Sequence, residues 1–494
     1  MDVVIVGTAM RGDVERVSTG LPELDRILGG GLPAGSMIVL AGPPGTGKTI
    51  LAQQIAFAVS SEEHPARYYT TLSEPHAKLI RHLEPFTFFD HASLGKRVSY
   101  LHLTELAQGA GDGERGLAAV MEEIVEGAFD HQPALVVIDS SKALHHFADQ
   151  DRLRETIFSL AARVAHTGAI LLLVGEYTPD ELETSPEFAV ADGIIQVANT
   201  SVGPVDRRTL RIVKMRGTDY LTGQHTFRLG RDGYELFPRL ETTSPHTGDH
   251  LSEERHAFGL PQVDEMTSGG TPAGDATLVM GPSGVGKTAL TCHWIQSGLD
   301  QGERCLFVSL EETEEELLAK ARTFGLRFDE AVESGQLRIK HVPPIELEID
   351  EFGVMVRDHV EQENQQRVVI DSLGELLPAA KSLQRFPSYL WALTLTLRER
   401  GSSAMFTYEM STLGAADRLD SLSYLFQNVV VLRYMERGSE LGRVLTILKM
   451  RRSAHAKGLL QFQITEDGFT PVGQADVASG VLGWTVIGSP VGGT

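Results

Sequence analysis

Two short stretches of this sequence contain the residue types that bind nucleotide phosphates: "AGPPGTGKTI" at residues 41–50 and "MGPSGVGKTA" at residues 280–289. Both follow the pattern of glycine, four residues, glycine, lysine and then serine or threonine, in which backbone N–H groups surround the phosphates. The lysine reaches the β- and γ-phosphates, and the next hydroxyl coordinates Mg²⁺. The sequence therefore predicts two sites for ATP and Mg²⁺, formed by Gly45, Thr46, Gly47, Lys48 and Thr49 and by Gly284, Val285, Gly286, Lys287 and Thr288.

Each loop lies between an apolar run and a helix-like segment. Residues 37–40 precede the first loop and residues 277–280 precede the second, and both runs are short enough to be buried strands. The segments "KTILAQQIAFAV" and "KTALTCHWIQSGL" follow. A strand, a glycine-rich turn and a helix N-terminus direct converging amides and the positive end of the helix dipole at an anion.

Two aspartates could complete these sites. "VVID" occurs twice, ending at Asp139 and at Asp371, and each aspartate follows an apolar strand-like run. At such a position the carboxylate would hold the metal ion from the side opposite Thr49 or Thr288. The alternative interpretation is that the aspartates only cap the turns that follow them.

The chain is an internal duplication. "STGLPELDRILGGGLPAG" before the first loop matches "AFGLPQVDEMTSGGTPAG" before the second, and "LRIVKMRGT" downstream matches "LTILKMRRS". In each copy short apolar strands alternate with longer amphipathic segments, which is typical of an α/β fold with a mainly parallel sheet flanked by helices. We therefore predict an N-terminal domain at 1–240, a linker at 241–258, a C-terminal domain at 259–475 and a short tail at 476–494.

The overall composition excludes several classes of protein. The 494 residues carry a formal net charge of −22, which disfavours nucleic acid as a partner, and no basic run offsets it. No apolar stretch reaches membrane-spanning length, and no signal peptide is recognisable at the N-terminus. The two cysteines are too few for a disulfide framework or a four-ligand zinc site. These features predict a cytoplasmic protein with buried thiols.

The duplicated motifs resemble those of the KaiC family of clock ATPases and autokinases. Both copies contain a "TGLPELDRILGGGLPAG"-like stretch, a phosphate loop, "VVID" and "KMR", and the resemblance extends from about residue 16 to "GSP" at 488–490. It implies two tandem RecA-like P-loop NTPase domains that assemble into a hexamer of two stacked rings, with ATP bound between neighbouring subunits. It further implies slow ATP hydrolysis in the N-terminal ring and serine autophosphorylation and dephosphorylation in the C-terminal ring.

The resemblance also bears on partners. A KaiB-like or other signalling protein is a partner that it allows. After "GSP" the chain ends at Thr494, where the family continues into a peptide that its activator binds, so no KaiA-type activator is expected.

RecA-type enzymes carry a catalytic carboxylate just past a strand end, where this sequence has Glu311 and Glu312. Two adjacent carboxylates repel each other, which raises the proton affinity of one and favours its use as a base. The other interpretation assigns both to the charged face of the following helix. In the first copy Ser73 aligns with Glu311 and Glu74 with Glu312, so Glu74 alone is the base there, or the N-terminal site turns ATP over very slowly.

Cations two residues apart recur in both copies, as Lys214 and Arg216 and as Lys449 and Arg451. On a strand this spacing directs both side chains to one face and the intervening methionine to the other. The resemblance implies that these cations reach the γ-phosphate of the neighbouring subunit's ATP, as an arginine finger does. The alternative is that they are solvated cations on an edge strand.

The family's adjacent serine and threonine phosphorylation sites align with Ser423 and Tyr424, so a tyrosine replaces the expected threonine. The equivalent residues of the first copy are Phe188 and Ala189, which have no hydroxyl. We expect Ser423 to be the main phosphoacceptor and Glu311 its base. Because Tyr424 carries its hydroxyl further from the backbone, a phosphorylation cycle of two acceptors like the clock's is in doubt.

Three functions remain open at this point. The first is a hexameric ATPase and serine autokinase that acts as a timing or signalling switch. The second is a RecA/RadA-type DNA-dependent ATPase, which the acidic charge disfavours. The third is an ATP-stabilised protein-binding platform with weak catalysis, which Ser73 in the first copy keeps open.

Overall fold

The computed structural model describes residues 15–70, 76–103, 113–178, 180–202, 205–243, 252–345, 347–380, 384–410, 420–437 and 440–475. The chain divides into two compact units, Met1–Thr242 and Thr243–Thr494. Each unit contains a nine-stranded sheet with helices packed against it. The predicted α/β architecture, with two tandem domains of the same kind, is confirmed.

The helices and strands of the N-terminal unit alternate along the chain. Its strands are β1 Arg16–Val17, β2 Leu32–Pro33, β3 Met37–Gly42, β4 Ala66–Thr70, β5 Val98–His102, β6 Leu135–Asp139, β7 Ile170–Glu176, β8 Gly193–Val202, β9 Val205–Met215, β10 His225–Gly230 and β11 Gly233–Phe237. Its helices are α1 Pro22–Ile27, α2 Lys48–Val59, α3 His76–Leu83, α4 Glu114–His131, α5 Gln150–Ala165, α6 Glu181–Thr184, α7 Pro186–Val190 and α8 Leu240–Thr243, with 3₁₀ turns at His91–Ser93 and Ser141–His146.

The C-terminal unit repeats this order. Its strands are β12 Arg255–His256, β13 Thr271–Pro272, β14 Ala276–Gly281, β15 Cys305–Ser309, β16 Leu337–His341, β17 Arg367–Asp371, β18 Ser403–Glu409, β19 Asn428–Arg437, β20 Glu440–Met450, β21 Leu460–Thr465 and β22 Gly468–Gln474. Its helices are α9 Pro261–Met266, α10 Lys287–Asp300, α11 Glu314–Thr323, α12 Phe328–Glu333, α13 Ile349–Glu363, α14 Leu373–Ala379 and α15 Phe386–Glu399, with a 3₁₀ turn at Asp420–Leu425.

Both large sheets have the same topology. The order is β11-β10-β9-β8-β3-β7-β6-β4-β5 in the first and, in the same direction, β22-β21-β20-β19-β14-β18-β17-β15-β16 in the second. The strands from β8 to β5 pair in parallel, whereas β9, β10 and β11 continue the sheet with antiparallel pairing. Because β3 is followed by the phosphate loop and lies in the middle of the sheet, the loop is at the carboxyl edge, where such folds bind ligands.

Alternation along β3 explains how the first sheet buries both faces. Ile38 and Leu40 contribute to one apolar cluster together with Leu51 of α2. Val39 contributes to a second cluster together with Val120 of α4. Successive strand residues point to opposite faces, so a central strand with helices on both sides must be apolar throughout. The same need explains why the runs before both phosphate loops lack polar alternation.

The predicted linker, C-terminal tail and buried cysteines can each be compared with the structure. Arg255–His256 pairs with Thr271–Pro272, and Phe258 is fully buried, so these residues of the range assigned to a linker belong structurally to the C-terminal unit. Residues 244–251 and the tail at 476–494 lie outside the described residues. Both cysteines, Cys292 and Cys305, are free and buried, as predicted.

Candidate functional site

The two phosphate loops have the same backbone form. Each connects the end of a central strand to the start of a long helix, α2 at Lys48 or α10 at Lys287. The residue before each helix, Gly47 or Gly286, has a left-handed backbone with φ of 94° or 115°. A helix N-terminus thus faces the loop, and its unpaired N–H groups favour an anion.

Glycine is required at Gly47 for two reasons. Its positive φ is one that other residues rarely adopt, and a Cβ there would lie 2.7 Å from Leu229 Cδ1 and 2.9 Å from the Tyr234 hydroxyl. By contrast, a Cβ at Gly45 would meet no atom within 4 Å. The loop is therefore tightly packed on its inner side and open at Gly45, which suits a nucleotide that must approach the backbone closely.

The loop lysines point back over their own loops. Lys48 Nζ donates a hydrogen bond to the Pro43 carbonyl at 2.7 Å, and Lys287 Nζ donates to the carbonyls of Gly281 and Pro282 at 3.0 and 3.1 Å. Burial lowers the pKa of both lysines, against the opposing effect of nearby carboxylates. The ammonium groups thus lie where the phosphates of a bound nucleotide would neutralise them.

A hydroxyl and a carboxylate meet beside each lysine. Thr288 Oγ1 donates a hydrogen bond to Asp371 Oδ2 at 2.7 Å, and Thr49 makes the equivalent side-chain bond to Asp139. Both aspartates end a buried central strand, and burial raises the pKa of each. These oxygens are the kind of ligand that Mg²⁺ prefers, and Mg²⁺ is usually held by one or two carboxylates together with substrate phosphates.

Among the residues that the structure describes, no group of three or more His, Cys, Asp or Glu side chains could hold a metal ion. One threonine and one aspartate per site therefore fit a Mg²⁺ ion that arrives with a nucleotide.

Glu311 lies at the carboxyl edge beside Asp371. It follows β15, whose neighbour is β17, and the Leu310 N–H donates to the Asp371 carbonyl at 2.7 Å. Partial desolvation and then the charges of Glu375 and Asp371 raise the pKa of Glu311 to about 7. A carboxyl with such a pKa is suited to accept a proton near neutral pH.

Glu312 has different surroundings from those expected. It forms an ion pair with Lys320, and its backbone N–H donates to Ser309 Oγ at 2.8 Å. The carboxylates that raise the pKa of Glu311 most are Glu375 and Asp371, so the expected repulsion by the adjacent Glu312 is not the main cause. Lys320 lies in α11, eight residues beyond Glu312 along the chain.

In the N-terminal unit, Glu74 aligns by motif with Glu312 and Ser73 with Glu311. Glu74 and Ser73 both lie outside the described residues. The strand registers pair Thr70 with Asp139 and Ser309 with Asp371, which makes Thr70 the equivalent of Ser309. Counted along the sequence from there, Ser73 falls opposite Glu312, one residue from the alignment by motif.

Sequence reasoning missed one pair of carboxylates. Glu176 ends β7 and Glu409 ends β18, and each is the carboxylate with the largest charge effect on the pKa of its loop lysine, Lys48 or Lys287. Their recurrence at the ends of "LLLVGE" and "AMFTYE" was the signal that could have revealed them.

The lysines of the two "KMR" triplets occupy the same register in both sheets. Lys214 of β9 pairs with Ile194, and Lys449 of β20 pairs with Val429, each beside an irregularity in the pairing. Met215 and Met450 are buried. Arg216 and Arg451 follow directly after the strand ends.

Their contacts differ between the units. Arg216 forms an exposed ion pair with Asp192 at 3.4 Å. In the C-terminal unit, Lys449 Nζ donates to the carbonyls of Ser423 and Phe426 at 3.0 and 2.7 Å, and Arg451 donates to the Tyr424 carbonyl at 3.1 Å. Burial, and then the neighbouring arginine, lowers the pKa of Lys449.

Comparison with known proteins decides the family. A family model described as the KaiC ATPase matches residues 17–241 and again residues 257–474. This chain belongs to the KaiC family. Similar proteins include the circadian clock protein KaiC3 of Synechocystis sp., 28% identical over 92% of this chain and 91% of that protein. The circadian clock oscillator protein KaiC of Picosynechococcus sp. is also 28% identical, over 93% of this chain and 90% of that protein.

Membership of the KaiC family identifies the domain class of both units. They are tandem RecA-like P-loop domains of an ATPase, as the duplicated motifs predicted. In the part of the chain that the structure describes, no helix is both long and apolar enough to cross a bilayer.

Ser423, the phosphoacceptor that the resemblance to KaiC implies, lies in the 3₁₀ turn Asp420–Leu425. Ser423 is half-buried there, whereas Tyr424 is 55% exposed. Phe188 takes the equivalent place in the N-terminal unit, where it is buried edge-on against Tyr177 with ring centroids 4.8 Å apart. Only the C-terminal unit therefore has a hydroxyl at this point of the fold.

Proposed function

We propose that this KaiC-family ATPase is a homo-hexamer that binds Mg-ATP between subunits and phosphorylates Ser423 in its C-terminal domain. The phosphorylated and unphosphorylated forms act as the two states of a timing or signalling switch. The N-terminal domain hydrolyses ATP and maintains the ring.

The positions of the "KMR" cations support assembly. The contacts described above join them to Asp192 or to carbonyls of residues 423–426, and none joins them to the phosphate loop of their own unit. Val213 and Leu448, the apolar residues just before Lys214 and Lys449, are 37% and 54% exposed. An exposed apolar side chain beside a cation, at the same place in both units, is suited to a subunit interface that presents the cation to a neighbour's phosphate.

The observation that carries the choice of the 3₁₀ turn Asp420–Leu425 as the acceptor segment is the bond from Lys449 Nζ to the Ser423 carbonyl. A cation that meets a neighbour's γ-phosphate brings its own hydrogen-bond partners with it. Ser423 would therefore be adjacent to the transferred group. Arg451 donates in the same way to the Tyr424 carbonyl, so the choice of Ser423 over Tyr424 rests on the longer tyrosine side chain, which places its hydroxyl further from the backbone.

The transfer requires a base and a charge clamp. Ser423 Oγ would form a bond to the γ-phosphorus as the bond between that phosphorus and the ADP oxygen breaks, and Glu311 would accept the hydroxyl proton. Lys287, together with the neighbour's Lys449 and Arg451, would stabilise the charge on the transferred group. Glu312, paired with Lys320, would hold the strand end in place beside the base.

Thr288 and Asp371 would hold Mg²⁺ in the C-terminal site, and Thr49 and Asp139 would hold it in the N-terminal site. When bound, the ion neutralises phosphate charge and fixes the phosphate geometry. In the N-terminal domain Lys48, Lys214 and Arg216 would take the corresponding positions around the nucleotide, and Glu74 would act on water.

Intact-mass spectrometry and phosphosite mapping after incubation with Mg-ATP test this function. One added phosphate on Ser423, with ATP hydrolysis that single-stranded DNA does not stimulate, is the expected result. Stimulation by DNA would instead favour a RecA/RadA-type motor. ATP binding with neither hydrolysis nor phosphate transfer would favour a protein-binding platform.

A further inference from the structure

The two metal-binding aspartates are oriented by different residues. In the N-terminal unit the Tyr68 hydroxyl donates a hydrogen bond to Asp139 Oδ2 at 2.7 Å. In the C-terminal unit Thr407 Oγ1 donates to Asp371 Oδ1. Both donors are buried, so each aspartate receives one fixed hydroxyl bond in addition to that from Thr49 or Thr288.

The donors come from opposite neighbours of the strand that carries the aspartate. Tyr68 is on β4, where it pairs with Val137, two residues before Asp139 and therefore on the same face. Thr407 is on β18, which pairs with the other edge of β17. Tyr68 and Thr407 thus approach their aspartates from opposite edges of the strand that carries the carboxylate.

The repeat shows that one donor replaces the other. By the strand registers, the equivalent of Tyr68 is Phe307, which pairs with Val369 two residues before Asp371. The equivalent of Thr407 is Val174, because Thr407 pairs with Val279 and Val174 pairs with the corresponding Leu40. Neither Phe307 nor Val174 has a hydroxyl. Of these two positions, the first therefore supplies the donor in the N-terminal unit and the second supplies it in the C-terminal unit.

A polar group surrounds Tyr68 and has no counterpart in the other unit. The Tyr100 hydroxyl donates to Gln53 Oε1 at 2.5 Å, and the rings of Tyr68 and Tyr100 lie 5.4 Å apart. The equivalent positions of the C-terminal unit are apolar: Cys292 for Gln53, Ile339 for Tyr100 and Phe307 for Tyr68.

We propose that Tyr68 is a positioning residue of the N-terminal nucleotide site, whose hydroxyl fixes the orientation in which Asp139 binds Mg²⁺. Tyr100, fixed by its hydrogen bond to Gln53, packs beside the Tyr68 ring and holds it in that position. Thr407 has the same role toward Asp371 in the C-terminal site. The inference rests on the proposed binding of Mg-nucleotide by both sites.

The physical reason for this role is that a buried carboxylate that binds a metal ion through one oxygen needs a hydrogen-bond donor for its other oxygen. The Tyr68 hydroxyl is buried and donates to Asp139 Oδ2 at 2.7 Å, so that oxygen has a fixed partner. Removal of such a partner of a metal ligand usually costs about 10- to 100-fold in metal affinity. The nucleotide itself, held by the loop amides, should be affected much less.

The experiment uses the full-length Lys287→Ala variant, in which nucleotide binding reports the N-terminal site. A fluorescent ADP analogue is titrated with and without Mg²⁺, and Mg²⁺ is titrated into the ADP complex. Tyr68→Phe is expected to weaken Mg²⁺ binding by roughly 10- to 100-fold while ADP affinity in the presence of EDTA stays the same. A merely structural role would lower both affinities together.

Tyr69→Phe is the matched control. It removes the adjacent buried hydroxyl, which accepts a bond from Arg67 Nε at 2.9 Å and does not contact Asp139, so Mg²⁺ affinity should not change. The rescue variant combines Tyr68→Phe with Val174→Thr, which transfers the threonine of the C-terminal unit to the N-terminal site. Restored Mg²⁺ affinity in this double variant would support a role through Asp139.

Three outcomes would overturn the inference. They are an unchanged Mg²⁺ affinity in Tyr68→Phe, an equal loss in Tyr69→Phe, or no recovery with Val174→Thr. Failure of the parent to bind ADP at all would overturn the proposed function, and this inference with it. If Tyr68→Phe does not fold, Thr407→Val in the otherwise native chain tests the same role at Asp371: weaker Mg²⁺ binding at one of the two nucleotide sites of each chain supports it, and unchanged binding at both contradicts it.

Discussion

Lys449 and Ser423 are joined by a hydrogen bond of 3.0 Å from the lysine Nζ to the serine carbonyl. The bond links the strand that carries Lys449 to the turn that carries the proposed acceptor, Ser423. If Lys449 binds a phosphate, the backbone of Ser423 in the same chain lies next to that phosphate.

Complementation between two inactive variants tests this arrangement. Lys449→Ala retains Lys287 for its own nucleotide, whereas Lys287→Ala retains Lys449 for a neighbour. If the cations act between subunits, mixed hexamers contain complete sites, and phosphorylation should reappear. The label should be on the Lys287→Ala chains, because their intact Lys449 places their Ser423 at the site. Tandem mass spectrometry of the mixture gives the answer, and no activity in the mixture would mean that the cations act within one subunit.

The acceptor and base can be tested by conservative substitutions. Ser423→Ala should remove the added phosphate, and Tyr424→Phe should leave it in place. Glu311→Gln should slow transfer by roughly 10²- to 10⁴-fold, the usual contribution of a positioned base. Quantitative phosphosite mapping over time measures each rate. Phosphate that persists on Tyr424 in the Ser423→Ala variant would show that Ser423 is not the main acceptor.

The rate of phosphoryl transfer should depend on pH through Glu311. Its pKa of about 7 means that the carboxylate is mostly protonated below neutral pH and cannot accept a proton there, so the rate should rise as pH increases through about 7. Glu375→Gln removes a neighbouring negative charge and should therefore lower the pKa of Glu311 and shift the rise to lower pH. Glu315→Gln, on the exposed part of α11, is the control and should leave the profile unchanged.

Nucleotide removal should dissociate the ring. A site completed by a neighbour's cations binds nucleotide only in the assembled state, and a ligand that binds one state stabilises it by mass action. Light scattering after size-exclusion chromatography should give a hexamer in Mg-ATP and smaller species after treatment with EDTA and apyrase. A monomer at saturating Mg-ATP would contradict the proposed assembly.

The two phosphate loops should have separable roles. Lys48→Ala should mainly impair assembly and basal hydrolysis, because Phe188, at the position equivalent to Ser423, has no hydroxyl to accept a phosphate. Lys287→Ala should abolish transfer to Ser423 and leave the ring intact. Parallel measurements of mass, hydrolysis and phosphate incorporation compare the variants. Equal loss of every activity in both would mean that the sites are not divided in this way.

The contiguous features of this protein were predictable from its sequence. A phosphate loop needs only eight neighbouring residues, and the strands that lead to Lys48 and Asp139 are apolar because both of their faces are buried. Repetition added the second copy of each motif and with it the expectation that both domains have the same fold.

Contacts across strands were not predictable in the same way. Glu375 affects Glu311 because β15 and β17 are adjacent in the sheet, although the two residues are far apart in sequence. The roles of Tyr68 and Thr407 depend on which neighbour of a central strand supplies a hydroxyl, and neither residue belongs to a motif. Such pairings require the strand order and register, which local patterns do not determine.

The two native cysteines have a practical consequence. Cys292 and Cys305 are both buried, and burial raises the pKa of Cys305 to about 12 and that of Cys292 further. Since thiol reagents attack the accessible thiolate, neither residue should compete with a cysteine introduced on the surface. Fluorophores or spin labels can therefore be attached at a single chosen point of each subunit in an otherwise native chain.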